Sequence, residues 1–261
     1  MRYQISQRIF GPENLDSRLR AGLIWHGQGG GSGITIPDQS GYQRPGNLNG
    51  GILWTLGREH IGHGVSLDGS DDEISIPANL LAGLSAFAVA YWAYPRSITA
   101  GYLQKWEGGT GNLVLIRDDA TGTISFFTFT GAQVGGVLIG GHNTNEWAHW
   151  VFMYDGATMS GYKNAQIGGT TYGQTGALQS GGTATTRIGG GSGSSSERFF
   201  NGNFSDIRIY NRALSIAEIV LLASPSFRPV MVQRVVVAKK SGVVLTPFSP
   251  QKMAVKLGTW G

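Results

Sequence analysis

A chain of 261 residues without a single cysteine excludes a disulfide framework, a thiolate metal centre and a cysteine nucleophile. Only 14% of its residues are charged while 42 are glycine, a balance that disfavours long salt-bridged helices and favours short strands joined by tight turns. The net charge of +4 is unevenly placed, with six basic and no acidic residues from 225 onward, four basic and two acidic in 1–20, and 10 basic against 14 acidic in between.

Residues 1–20 read as an arm with little periodicity. Gly11-Pro12 breaks it, and residues 13–20 can make one or two helical turns. Residues 1–15 lack the apolar core and small-residue cleavage site of a secretory signal. No run approaches the roughly 18 apolar residues that a spanning helix needs, so membrane insertion is not expected.

The glycine-rich body, residues 21–224, alternates strand and turn signals. Val65-Ser66-Leu67 runs into the turn Asp68-Gly69-Ser70-Asp71-Asp72, and Glu73-Ile74-Ser75-Ile76-Pro77 alternates polar with apolar. Residues 86–94 are a nearly continuous apolar and aromatic run, the pattern of a strand buried on both faces. Residues 112–117 and 123–130 flank Asp118-Asp119-Ala120-Thr121-Gly122 and predict a hairpin with a longer loop. Residues 147–154 predict a strand ended by Asp155-Gly156, with shorter strands at 160–162 and 186–188. In residues 203–210, Phe204, Asp206 and Arg208 alternate with Ser205, Ile207 and Ile209. Ser215-Ile216-Ala217-Glu218 has capping-box spacing before Ile219-Val220-Leu221-Leu222-Ala223, and Pro225 ends that helix.

Residues 225–261 form a basic, strand-like tail. Residues 230–238, a turn at Lys239-Lys240-Ser241-Gly242 and Val243-Val244-Leu245 predict a hairpin that needs another surface to cover it. The whole predicts an all-β fold: a two-sheet antiparallel sandwich with one short C-terminal helix and basic terminal arms.

Taken in order, several stretches resemble the laminin-G-like, concanavalin-A-like lectin/glucanase superfamily, a jelly roll. They are Gly22-Leu23-Ile24-Trp25, Pro37-Asp38-Gln39-Ser40-Gly41, Leu67-Asp68-Gly69-Ser70-Asp71-Asp72, residues 87–95, Trp147-Ala148-His149-Trp150-Val151 and residues 200–215. One departure is Tyr162-Lys163-Asn164-Ala165, where the family's turn carries glycine in the last place and a rearranged hairpin is expected. A jelly-roll body followed by a capped helix, Phe227-Arg228-Pro229 and a basic strand also resembles phage- and prophage-encoded members.

The resemblance implies tests for chemistry. Glucanases on this fold place two carboxylates about 5 Å apart, drawn from one strand in a Glu-x-Asp-x-x-Glu pattern. The seven glutamates here are scattered singly. Neither a Gly-x-Ser-x-Gly elbow nor a His-Glu-x-x-His helix occurs, so no catalytic residue is nominated and no enzyme is expected. Family members hold Ca²⁺ at positions matching Asp38 and Asp206; the other reading is an Asx-turn at Asp38 and backbone bonds at Asp206. Asp68, Asp71 and Asp72 read first as turn formers and second as a cation site.

Trp54, Tyr102 and Trp106 lie in or near predicted loops and are the candidate sugar platforms. Trp25, Trp92, Trp147 and Trp150 lie in predicted strands and are assigned to the core, and His149 is read as structural. Arg228, Arg234, Lys239 and Lys240 are candidate docking residues. The tail's basic residues alternate with Val and Leu, which suits a strand laid against protein better than a phosphate-binding face.

The expected function is a non-catalytic structural or interaction protein of a virion or extracellular surface, docked through its arms as a homo-oligomer or assembly component and displaying a glycan surface. The alternative is a carbohydrate-binding, lectin-like module with Ca²⁺ optional.

Overall fold

The computed structural model describes residues 7–10, 17–58, 62–77, 79–97, 104–108, 111–118, 123–130, 133–141, 143–169, 174–179, 185–190, 199–224 and 230–233. The chain divides into two compact units, residues 1–9 with 231–261, and residues 10–230. Among the described residues the first element is strand β1 (Gln7–Phe10). A 3-10 turn, Ser17–Arg20, leads into β2 (Leu23–Gly27), β3 (Thr35–Ile36), β4 (Gly46–Asn49) and β5 (Leu53–Leu56). Next come β6 (His63–Asp68), β7 (Glu73–Ile76), β8 (Phe87–Pro95), β9 (Gln104–Gly108) and β10 (Gly111–Asp118). Then follow β11 (Ile124–Thr130), β12 (Gln133–Ile139), β13 (Ala148–Tyr154), β14 (Met159–Lys163) and β15 (Gln166–Ile167). Finally come β16 (Thr186–Ile188), β17 (Asn201–Tyr210), helix α1 (Ile216–Ala223) and β18 (Val230–Gln233).

The strands of the larger unit form the expected antiparallel sandwich. One sheet runs β12-β11-β10-β9-β16-β7-β4-β3, and the other runs β15-β14-β13-β8-β17-β6-β5 with β2 also on β17. The predicted 112–117/123–130 hairpin is the β10–β11 pair, with Val114 opposite Thr128. Between the sheets, the period of two turns alternate residues inward: Phe87, Val89 and Tyr91 from β8 meet Phe126 and Ile116 from the facing sheet. Tyr91 stacks on Phe152 at 6.0 Å, and Phe126 meets Phe152 edge-on at 5.4 Å across the layers.

β8 is buried on both faces, as its unbroken apolar run predicts. Its outward residues Ala88 and Ala90 join Val151 and Tyr210 under a second apolar layer from Leu19, Leu214, Ile219 and Leu222. Leu19, assigned from sequence to the N-terminal arm, is therefore part of the packed body. The capping box holds α1 in place: the Glu218 amide donates to Ser215 Oγ, and the Ser215 amide donates to Glu218 Oε2. Arg212 ties the cap to the 3-10 turn, bonding Glu218 Oε1 at 2.6 Å and the Arg18 carbonyl at 2.8 Å.

The turn expected to be rearranged keeps its hairpin. Lys163 pairs with Gln166, and Asn164 and Ala165 both take left-handed φ values of 50° and 65°. Two such residues make the type I′ turn that matches strand twist. Alanine in that region costs about 1–2 kcal/mol against its relaxed conformation. Ala165→Gly is therefore expected to raise stability by about 0.5–1 kcal/mol after the extra chain entropy of glycine is deducted. The shift should show as a higher urea midpoint with an unchanged m-value.

In the smaller unit, β1 and β18 pair as a two-stranded sheet. β18 begins where the tail strand is predicted, but it ends at Gln233. The rest of the predicted tail hairpin lies outside the described residues.

Candidate functional site

The centre of the candidate site is an extra residue in β17. Against β8 the register moves from Ser205↔Trp92 to Arg208↔Ala90, three steps on one strand for two on the other. On its other edge β17 pairs with β6 as far as Ser205 and with β2 from Ile207 onward. Asp206 sits at this change of partner with φ 51°, a left-handed conformation that a short polar side chain tolerates. This is a β-bulge, and it corrects the strict alternation expected for residues 203–210. Phe204, Ile207 and Ile209 all enter the main core, while Tyr210 joins the outer layer.

The bulge gathers charge. Asp206 Oδ1 accepts from Arg208 Nε at 2.8 Å and lies 2.7 Å from His26 Nε2. His26 and Arg208 face each other across the β2–β17 pairing, each 1% exposed, while the Asp206 side chain is 17% exposed. Burial opposes ionisation of Asp206, but Arg208 and then His26 outweigh it and hold the carboxyl far below the usual carboxylate range. Because the acid is ionised, the facing His26 nitrogen carries the proton.

His149 stands beside this group, fully buried, its ring 5.2 Å from that of Trp92. Burial lowers its pKa to about 3; Asp206 draws it up, and Arg208 and Arg58 press it down. The Arg58 guanidinium lies 3.7 Å over the Trp92 ring. Trp92 and Trp147 are half-buried, and Trp147 leans on Tyr94 at 5.6 Å, so the core assignment holds for Trp25 and Trp150 but not for these two. The bulge, Arg58 and the outward Trp92 were missed from sequence. For the bulge and Trp92 the only signal is a polar or aromatic side chain in a strand that is otherwise apolar; Arg58 lies beyond β5 and carries no such signal.

Asp38 comes close to the same point. Its Oδ1 accepts the amides of His26 and Ser40, and its Oδ2 accepts that of Arg44. The Ser40 bond is the Asx-turn. Both acids thus meet His26, one at its amide and one at its ring. They do not fit a calcium ion in this arrangement. Every Asp38 oxygen faces an N–H donor, and Asp206 Oδ1 faces a guanidinium, whereas Ca²⁺ takes six to eight oxygens.

Trp54 is not in a loop. It lies in β5, the end strand of its sheet, opposite Val65. Its Nε1 donates to the Gly33 carbonyl at 2.8 Å, and His63 meets its ring edge-on at 6.5 Å. The loop between β2 and β3 lies directly on these rings. A Cβ at Gly30 would come 2.8 Å from the Trp54 ring, and one at Gly31 would come 2.6 Å from the His63 ring. Both glycines also hold positive φ, so glycine alone suits them. Ile34, Leu53 and Leu56 stand exposed around this rim.

Trp106 is likewise in a strand, β9, opposite Val114 and Thr186, because the segment completes the sheet between β10 and β16. Tyr102, Arg228, Arg234, Lys239 and Lys240 lie outside the described residues.

Known proteins bear on this arrangement. No curated protein matches the sequence. Among solved structures, domain 4 of AbnA, an extracellular arabinanase of Geobacillus stearothermophilus, solved in complex with arabinotriose, superposes with TM-score 0.58 at 20% identity, covering 78% of this chain and 99% of that one. The binding domain of Paraclostridial Mosquitocidal Protein 1 superposes with TM-score 0.62 at 14% identity, over 78% of this chain and 52% of that one. The botulinum neurotoxin serotype D ligand binding domain, in complex with N-acetylneuraminic acid, gives 0.60 at 15% identity, over 78% and 51%. The chain thus spans about half the length of the toxin domains. At these identities the likeness speaks to fold alone. The family profile described as the concanavalin A-like lectin/glucanases superfamily matches residues 68–220, more than half of the sequence and the stretch from the end of β6 into α1, and the chain belongs to that superfamily.

Proposed function

We propose that the chain is a lectin-like, carbohydrate-binding module without catalytic activity, and that its sugar platform is the rim formed by Trp54, His63 and the glycine loop of residues 29–33. The observation that carries this is Trp54 itself: an indole on an end strand, fixed by its bond to the Gly33 carbonyl and flanked by a histidine. A ring held in one orientation can stack a pyranose face at little entropic cost, and neighbouring polar groups can select the hydroxyl pattern. Trp92 is the weaker platform because Arg58 lies over its ring.

Support also comes from the relatives. One was solved with arabinotriose and another with N-acetylneuraminic acid. The first is a domain solved with a sugar and the second a ligand binding domain solved with a sugar, which favours the sugar reading over a virion role; the docking candidates Arg228, Arg234, Lys239 and Lys240 lie outside the described residues. Two of the scattered glutamates are engaged elsewhere: Glu73 pairs with Arg187 at 3.0 Å and Glu218 with Arg212 at 2.6 Å. Neither is placed as a general acid facing the Trp54 rim.

A glycan array probed with the full chain tests the reading. At least one oligosaccharide class should bind, and Trp54→Ala should weaken that binding about tenfold or more, equivalent to about 1.4 kcal/mol. Silence across a broad array, or equal binding by a folded Trp54→Ala variant, would overturn the platform. Hydrolysis of the bound sugar would overturn the non-catalytic part.

A further inference from the structure

The outer face of the sheet that carries β8 changes character along its length. At one end Ala88, Ala90 and Val151 lie under Leu19, Leu214, Ile219 and Leu222. Towards the other end the outward side chains turn aromatic and polar. Ala93, Phe204 and Val65 are paired side by side and all enter the core. Their neighbours Tyr94, Asn203 and Ser66 are paired in the same way and therefore point outward. Trp147, one residue before β13, extends this row, its ring 5.6 Å from that of Tyr94. The four half-buried side chains run across the strands over roughly 14 Å at the usual strand spacing.

We propose that this row is a second carbohydrate-binding surface, taking a short neutral oligosaccharide laid across the strands. It rests on the carbohydrate-binding reading above but not on Trp54, which packs against the core from the inner side of β5.

Arg96 organises the polar part of the row. Its Nε donates to Asn201 Oδ1 at 2.8 Å, and its Nη1 donates to Asn203 Oδ1 at 2.8 Å and to Ser66 Oγ at 3.1 Å. Its Nη2 donates to the Leu67 carbonyl. A guanidinium only donates, so both amides must turn their oxygens towards it and their NH₂ groups away. Neither NH₂ group has a hydrogen-bond partner among the described residues. Two amides held with their donors free suit a ligand rich in hydroxyl oxygens, and the rings of Tyr94 and Trp147 beside them can stack a sugar face.

The chemistry of the face selects the occupant. Its aliphatic part is already covered by the chain's own outer layer, and what remains is rings and amides. The Arg96 charge acts on Asp72, in the acidic turn nearby, so the row has no excess positive charge to draw an anionic sugar. Trp92 belongs to the adjacent row and lies under the Arg58 guanidinium, which leaves Tyr94 and Trp147 as the platform.

The test is calorimetric titration of arabinotriose, cellotriose, maltotriose and sialyllactose into the full chain and into its Trp54→Ala variant, where only the row is read. At least one neutral trisaccharide should bind the Trp54→Ala chain, with equal affinity at about 0.1 and about 1 M NaCl. Adding Tyr94→Ala or Trp147→Ala should weaken that binding about tenfold. Asn203→Asp keeps an oxygen on Arg96 but removes the N–H donors. It should weaken binding about fivefold without lowering the urea midpoint. If the parent chain binds a sugar and the Trp54→Ala chain binds none up to about 10 mM, the row is overturned and the Trp54 platform stands. If neither protein binds any of the four sugars, both fall. The row is also overturned if Tyr94→Ala, Trp147→Ala and Asn203→Asp leave the affinity unchanged, or if sialyllactose alone binds and salt abolishes it. A dimer in sedimentation that Tyr94→Ala dissociates would assign the row to a second copy of the chain and overturn the proposal.

Discussion

Replacing Arg208 with methionine is expected to cost about 3–5 kcal/mol of folding stability, a large share of the total for a single domain. The guanidinium is 1% exposed and donates to Asp206 Oδ1 at 2.8 Å. Without it, Asp206 keeps only His26 to offset its burial, and a partly desolvated carboxylate is left inside a bulge that cannot move it to water. Methionine fills the volume of the stem, so the loss reports the unpaired charge and not a cavity. The double variant Arg208→Met/Asp206→Asn should recover at least half of the loss, because removing both charges is far cheaper than removing one. Asparagine accepts the left-handed φ at position 206, so the bulge survives the change. Urea unfolding of the three proteins checks this. A cost below about 1 kcal/mol for Arg208→Met would show that the network contributes little to stability.

This network also marks where sequence stops being informative. The strands, their order and the capped helix are legible because each depends on local chemistry: alternation, turn glycines, and a serine three residues before a glutamate. The bulge is not. One extra residue in β17 leaves every local propensity intact yet rotates Arg208 away from the face that simple alternation assigns it, and only the pairing with two neighbouring strands reveals the slip. Trp54 and Trp106 are missed as strand residues for a related reason. β5 holds four residues, and the glycines around Trp54 and Trp106 read as loop. Trp92 and Trp147 fail differently. Trp147 falls just before β13, which begins at Ala148. For Trp92, being in a strand does not determine which face is covered: the outer layer of Leu19 and α1 shields one end of β8 while leaving Trp92 at the edge of that cover. Asp38 is the legible case, since an acid two residues before an amide that it accepts is a purely local device.

The same cluster should give the protein a marked loss of stability on mild acidification. His149 is fully buried and its pKa falls from 6.5 to about 3, chiefly because burial disfavours the imidazolium. The unfolded chain protonates this histidine as pH drops through about 6.5 while the folded chain does not, so folding stability is lost from about pH 6.5 downward. The slope approaches about 1.4 kcal/mol per pH unit, and the full effect by pH 3 is about 4–5 kcal/mol. Asp206, Asp155 and Glu218 all have lowered pKa values and reinforce the loss, but only below about pH 4.5, where their unfolded counterparts protonate. Asp72, with a raised pKa, works in the opposite sense: its folded form takes up a proton first and gains stability as pH falls. The window from pH 6.5 to 4.5 therefore belongs mainly to His149 among these groups. His149→Phe keeps a ring against Trp92 and has no proton to bind. Stability measured by urea unfolding at several pH values should fall steeply for the native chain between pH 6.5 and 4.5 and nearly level off for the variant. Parallel curves for the two proteins would mean that His149 takes its proton without unfolding the sheet, and that the outer face around Trp92 opens to water far more readily than its packing implies.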